Sequence, residues 1–192
     1  VRRQAARIIG ADADEIALVP NTTAGINYVA EGYPWQKGDN LVTLANEFPS
    51  NLYPWMNLAD RGVETRSVPV EENGEVNLNR IAETCDERTR ILSVSWVGYA
   101  TGWRNNLDEI SRLARDRGVL LFVDAIQGLG VFPLNVRRSP IDMLAAGIVG
   151  CGRTGGCVDR GRRCVFYCRI LLVLRLWCVV GFFTPSKDTR KK

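Results

Sequence analysis

Five short β-rich runs, separated by stretches of helical spacing, constrain this chain more than any other feature. They are Ile16 to Val19, Asn40 to Ala45, Val63 to Val70, Arg90 to Val97 and Val119 to Ala125. In "NLDEISRLARDRG", Leu107, Ile110, Leu113 and Ala114 fall on one helical face, and Gly118 supplies a stop. Helix and strand in repeated alternation, joined by short turns, predict an α/β three-layer domain with a mostly parallel sheet. The run VLLFV is apolar throughout, which suits a strand covered on both faces. It nevertheless ends on a carboxylate, Asp124, just before the glycine-loosened "AIQGLG".

Composition divides the chain near residue 147. Residues 1–146 hold 15 basic and 19 acidic side chains, whereas 147–192 hold 10 basic and 2 acidic ones. The net charge of +4 therefore comes from the tail and does not mark the whole surface as a nucleic-acid partner. Cys85 stands alone in the first part, and Cys151, Cys157, Cys164, Cys168 and Cys178 crowd the second. A single cysteine without a paired framework points to a reducing cytoplasm. The start at Val1, with neither methionine nor signal-peptide pattern, is read as that of a fragment.

In open α/β sheets, ligands collect beyond the carboxyl ends of the strands, so an acid there faces a site. The plain alternative is that Asp124 caps the following turn. A phosphate-binding ATPase loop would need GxxxxGK[ST], which this chain lacks. "GCGRTG", Gly150 to Gly155, has the letters of a dinucleotide-binding turn, but no acid follows at the spacing a ribose contact requires. Pyridoxal phosphate fits better. A carboxylate such as Asp124 favours the protonated ring nitrogen, and Gln127 lies three residues on, within reach of the ring's phenolic oxygen. In "VPNTTAGINYVAEG", Asn21 caps a helix whose first turn carries Thr22 and Thr23, offering amides and hydroxyls to a phosphate. An ordinary helix cap with surface threonines is the alternative.

Four stretches in order, "NTTAGIN", "NEFPSNLYPW", "SWVGYATGWRNNLDEI" and "VDAIQGLG", resemble the aminotransferase class V family of fold-type I pyridoxal phosphate enzymes. That family includes cysteine desulfurases, selenocysteine lyases and isopenicillin N epimerase-like proteins. The resemblance covers residues 1–146, most of a cofactor-binding large domain. It implies Thr22 and Thr23 at the phosphate, Asp124 at the pyridine nitrogen, Gln127 at the ring oxygen, Phe48 stacked on the cofactor face and Tyr99 near the ring oxygen. It also implies an amino-acid substrate and a homodimer for the full-length enzyme, with no nucleic acid and no membrane. Desulfurases usually carry histidine where Phe48 stands. This chain has none, and phenylalanine can stack but cannot carry a proton, which leans towards the epimerase-like branch. Phe48 and Tyr99 also read as core residues.

The family's Schiff-base lysine should follow a strand like "IDMLAA", but the sequence there continues "GIVGCGRTGGCVDRGRRC". Only Lys37, Lys187, Lys191 and Lys192 exist, and none has the right setting. No catalytic residue is therefore assigned, and a non-catalytic α/β remnant is the rival reading. The change at residue 147 suggests a frame error or retained noncoding segment, with "CVFYCRILLVLRLWCVVG" again family-like from about residue 164. The tail cysteines lack zinc-site spacing, so no metal is expected. Arg169 and Arg175 interrupt Val165 to Phe183 as a membrane span. Incubation with pyridoxal phosphate and borohydride is expected to give no stoichiometric adduct at a single lysine; mass spectrometry showing one would overturn this.

Overall fold

The computed structural model describes residues 1–148 and the backbone of 169–174. One seven-stranded sheet organises them. Its strands are β1 (Ile16–Val19), β2 (Asn40–Leu44), β3 (Glu64–Val68), β4 (Thr89–Ser95), β5 (Leu120–Asp124), β6 (Met143–Ile148) and β7 (Arg169–Leu174), in the order β1-β7-β6-β5-β4-β2-β3. Every pairing from β3 across to β6 is parallel. Only β7 runs against its neighbours, between β6 and β1. The five expected strands form within a residue or two of the predicted bounds, and "IDMLAA" enters β6.

Strand alternation sorts the apolar side chains into two cores. Leu121 and Val123 of β5, with Leu92 and Val94 of β4, face one cluster with α1 (Arg2–Ile9), α4 (Leu78–Thr84) and α5 (Leu107–Asp116). Phe122 and Ile91 face the other, with α2 (Thr22–Gly32) and the short α3 (Tyr53–Met56). The result is helix, sheet, helix, as the alternating pattern predicts.

Local signals explain the helix bounds. Asn21 accepts the Ala24 N–H at 2.7 Å and starts α2, while Asn106 accepts the Asp108 N–H at 3.2 Å and starts α5. Beyond α5, Gly118 takes φ +66°, the left-handed conformation that ends helices at low cost. Leu107, Ile110 and Ala114 of α5 are buried as its spacing requires, with Leu113 partly so.

On the α2 face, Trp55 is fully buried edge-on to Phe122, with ring centroids 5.5 Å apart, and its indole N–H donates to Asn51 Oδ1 at 3.2 Å. Trp55→Ala would leave a large void and strip Asn51 of a donor. Urea denaturation is expected to show a loss of about 3–5 kcal/mol.

Candidate functional site

Because β1 and β6 both oppose β7, β1 shares the direction of the parallel strands. The C-terminal ends of all six therefore lie along one edge of the sheet. The segments that follow β1, β2, β4 and β5 meet there, and they carry Thr22 and Thr23, Phe48, Tyr99, and Asp124 with Gln127.

Asp124 ends β5 with 2% of its surface exposed. Among the described residues, its side chain accepts one hydrogen bond, from the Ile126 N–H to Oδ1 at 3.0 Å. The turn-capping alternative is thus met in part, yet one amide is little compensation for a buried carboxylate. Burial pushes its pKa up to about 6, partly offset by that bond. A cationic partner at the open oxygen would stabilise the charge, and a protonated pyridine nitrogen is a group of that kind. Two residues past Ile126, Gly128 lets the turn press on Trp96: a Cβ there would lie 2.4 Å from the indole Cε3.

At the start of α2, Thr22 is buried and Thr23 half-buried. Thr23 Oγ1 donates to Ser50 Oγ at 2.9 Å, joining the helix mouth to the segment after β2. The first-turn amides of a helix have no intrahelical acceptor, so this mouth suits an anion. Phe48, in the same segment as Ser50, packs edge-on against Tyr99 with centroids 5.2 Å apart. These two rings are 46% and 53% exposed, which rules out the core reading. They lie outside both apolar clusters because their segments leave the sheet at its open edge. Gln127 is exposed on the turn after β5.

Glu47 escaped the sequence reading. It is buried, and its carboxylate accepts the Ser95 N–H at 2.7 Å, the Ser95 hydroxyl at 2.5 Å and the Asn51 amide at 3.0 Å. Asn51 Oδ1 in turn accepts from Trp55 and from Ser93 Oγ. Ser95 is the ladder partner of Asp124, and its carbonyl accepts from Asn105. Hydrogen bonds, the Ser50–Asn51 peptide link and the Ser95–Asp124 ladder pairing thus connect Thr23 to Asp124. Burial, with a further contribution from the Asp124 charge, raises the Glu47 pKa to about 7. The signal was available: Glu47 is an acid just beyond an apolar strand, as Asp124 is.

Lys37 is exposed and precedes β2, which puts it at the opposite edge of the sheet from Asp124. Lys187, Lys191, Lys192, Gly150 to Gly155, the five tail cysteines and most of Val165 to Phe183 lie outside the described residues. Within the described residues, no metal-binding cluster occurs and no helix is long and apolar enough to cross a membrane.

Residues 1–148 match the sequence profile of aminotransferase class-V. The chain is 40% identical over 144 residues to a probable cysteine desulfurase of Methanothermobacter thermautotrophicus, covering 75% of this chain and 36% of that one. It is 37% identical over 147 residues to a cysteine desulfurase of Salmonella newport, covering 74% and 36%. It thus spans just over a third of the curated relatives it matches. The fold is similar to the apo structure of a Thermococcus onnurineus cysteine desulfurase, with TM-score 0.77 and 26% identity over 91% of this chain and 42% of that one. A cysteine desulfurase from Escherichia coli gives 0.72 and 29% over 76% and 38%. The leaning towards an epimerase-like branch finds no support in these matches.

Asp124 has a folded-state pKa above its unfolded value, so the folded chain binds more protons between about pH 4 and 6. Its contribution to stability therefore falls as pH rises through that window. Asp124→Asn removes this dependence. Denaturation midpoints should show the variant gaining on the parent between pH 4 and 7, at a slope of up to about 1.4 kcal/mol for each pH unit crossed inside that window.

Proposed function

The chain belongs to the aminotransferase class V family, and on that premise we propose that its described part is the cofactor-binding portion of a pyridoxal phosphate enzyme acting on amino acids, with desulfurase-like ancestry. The observation carrying this reading is the shared edge. A buried acid with an open oxygen and the amide-lined mouth of α2 lie at the same edge of one sheet, linked by hydrogen bonds, a chain step and a strand pairing.

In this reading the Asp124 carboxylate holds a proton on the pyridine nitrogen. Thr22, Thr23 and the first amides of α2 bind the phosphate. Phe48 covers a ring face without acting on protons, while Gln127 and Tyr99 serve the phenolic oxygen. When bound, the cofactor supplies an electron sink for breaking bonds at Cα or Cβ of an amino acid. We assign the amino-acid substrate, a homodimeric full-length enzyme and a cytoplasmic setting on the same premise.

The chain as it stands is proposed to be catalytically incompetent. Lys37 is at the wrong edge, and no other lysine occurs before residue 187. This favours a second reading, a non-catalytic α/β module that retains the cofactor cradle. We also propose a frame disturbance after about residue 146 that recovers near residue 164. The return of the chain to the sheet as β7, at residues 169–174, supports it. Sequencing the transcript across codons 140 to 170 tests this, and an unbroken frame would overturn it.

Absorbance titration with pyridoxal phosphate should reveal reversible, dialysable binding that Asp124→Ala weakens by about tenfold or more, as for loss of a charge-assisted hydrogen bond. No saturable binding to the parent chain would overturn the cofactor reading.

A further inference from the structure

We propose that Glu47 is a positioning residue for the cofactor site, acting through Ser95 and Asn51 to hold Phe48 over the ring face and Asp124 beside the ring nitrogen. This rests on the reading just given and deepens it.

Glu47 precedes Phe48 in the chain, so whatever fixes its carboxylate fixes the backbone that carries the aromatic. Three donors do so, and their orientation is not free. The Trp55 indole nitrogen can only donate, so Asn51 must turn its oxygen to Trp55 and its NH₂ to Glu47. The Ser95 amide can also only donate. Oε1 therefore always accepts, while Oε2 accepts from Asn51 and shares a proton position with Ser95 Oγ. A side chain with two acceptor oxygens meets these demands; glutamine would set its own NH₂ against one donor.

The same contacts tie Glu47 to Asp124. Ser95 lies opposite Asp124 in the β4–β5 ladder, and the Trp96 N–H donates to the Asp124 carbonyl at 2.8 Å. Pulling Ser95 towards Glu47 therefore sets the end of the strand pair from which Asp124 projects. The groups facing Glu47 are Ser95 and Asn51, both neutral, and Asp124 is the charged neighbour that acts on it. Asp124 titrates below Glu47, at about 6 against about 7, so it ionises beside a neutral Glu47, and its charge then helps hold the proton on Glu47.

The test uses the full chain and pyridoxamine 5′-phosphate, the amine form of the cofactor, which cannot bond covalently to lysine. Binding is followed by fluorescence, ring orientation by induced circular dichroism, and both are measured from pH 4 to 8. Glu47→Ala should lose about ten- to hundredfold in affinity, as for hydrogen bonds to a charged group, and most of the induced signal. Glu47→Gln should keep part of the affinity and keep the acid limb of the profile, which belongs to Asp124, but lose the change in affinity through about pH 7 where Glu47 itself ionises. Should either Glu47 variant fail to fold, Ser95→Ala, which removes one donor and keeps the backbone amide, should show the same fall in induced signal. A purely structural role would lower the melting temperature alone, leaving the pH profile and induced signal of the folded fraction unchanged, and that result overturns the proposal. If the parent binds the probe and the variants match it, only this inference fails. If the parent binds nothing, the cofactor reading fails with it.

Discussion

The desolvated carboxylate at the end of β5 is the constraint from which the rest follows. A charge placed where only one amide answers it costs free energy, and burial drives Asp124 towards its neutral form. A fold retains such a group where something else supplies the missing partner. Its position at the carboxyl edge of a parallel sheet suits a ligand as that partner, because this edge is where the loops between layers open.

Glu47, after β2 and bonded to the ladder partner of Asp124, meets the same problem and solves it differently. Its oxygens are covered by a peptide N–H, a hydroxyl and an amide, so the network is satisfied without a cation. Fully paired buried networks of this kind rigidify the elements they join. Here they join the segment after β2 to the end of β4, leaving Phe48 and Tyr99 exposed and edge-on at the rim. One acid is therefore saturated by the protein and the other is left with an open oxygen, and the proposed roles rest on that asymmetry.

The similarity to cysteine desulfurases and the phenylalanine at position 48 bear on different things. The similarity concerns ancestry and fold, and the side chain concerns the chemistry open to the proposed site. A ring without a titratable nitrogen can stack, but it moves no proton. Together with the placement of Lys37 at the far edge, it is consistent with the proposed reading of a cofactor cradle without the lysine chemistry.

The layered α/β fold, the strand set, the cap at Asn21 and the stop at Gly118 were legible in the sequence, because each depends on near neighbours: apolar period, a capping side chain, a glycine stop. Asp124 was legible for the same reason, as an acid interrupting an apolar run. Exposure of Phe48 and Tyr99, the role of Glu47 and the wrong-edge position of Lys37 were not. Each depends on which strands lie side by side and in which direction, and contacts such as Glu47 to Ser95 span 48 residues of chain. Local pattern determines what each segment can become; only the assembled sheet decides which ends share an edge, since side chains far apart in sequence meet there through packing that no segment specifies alone.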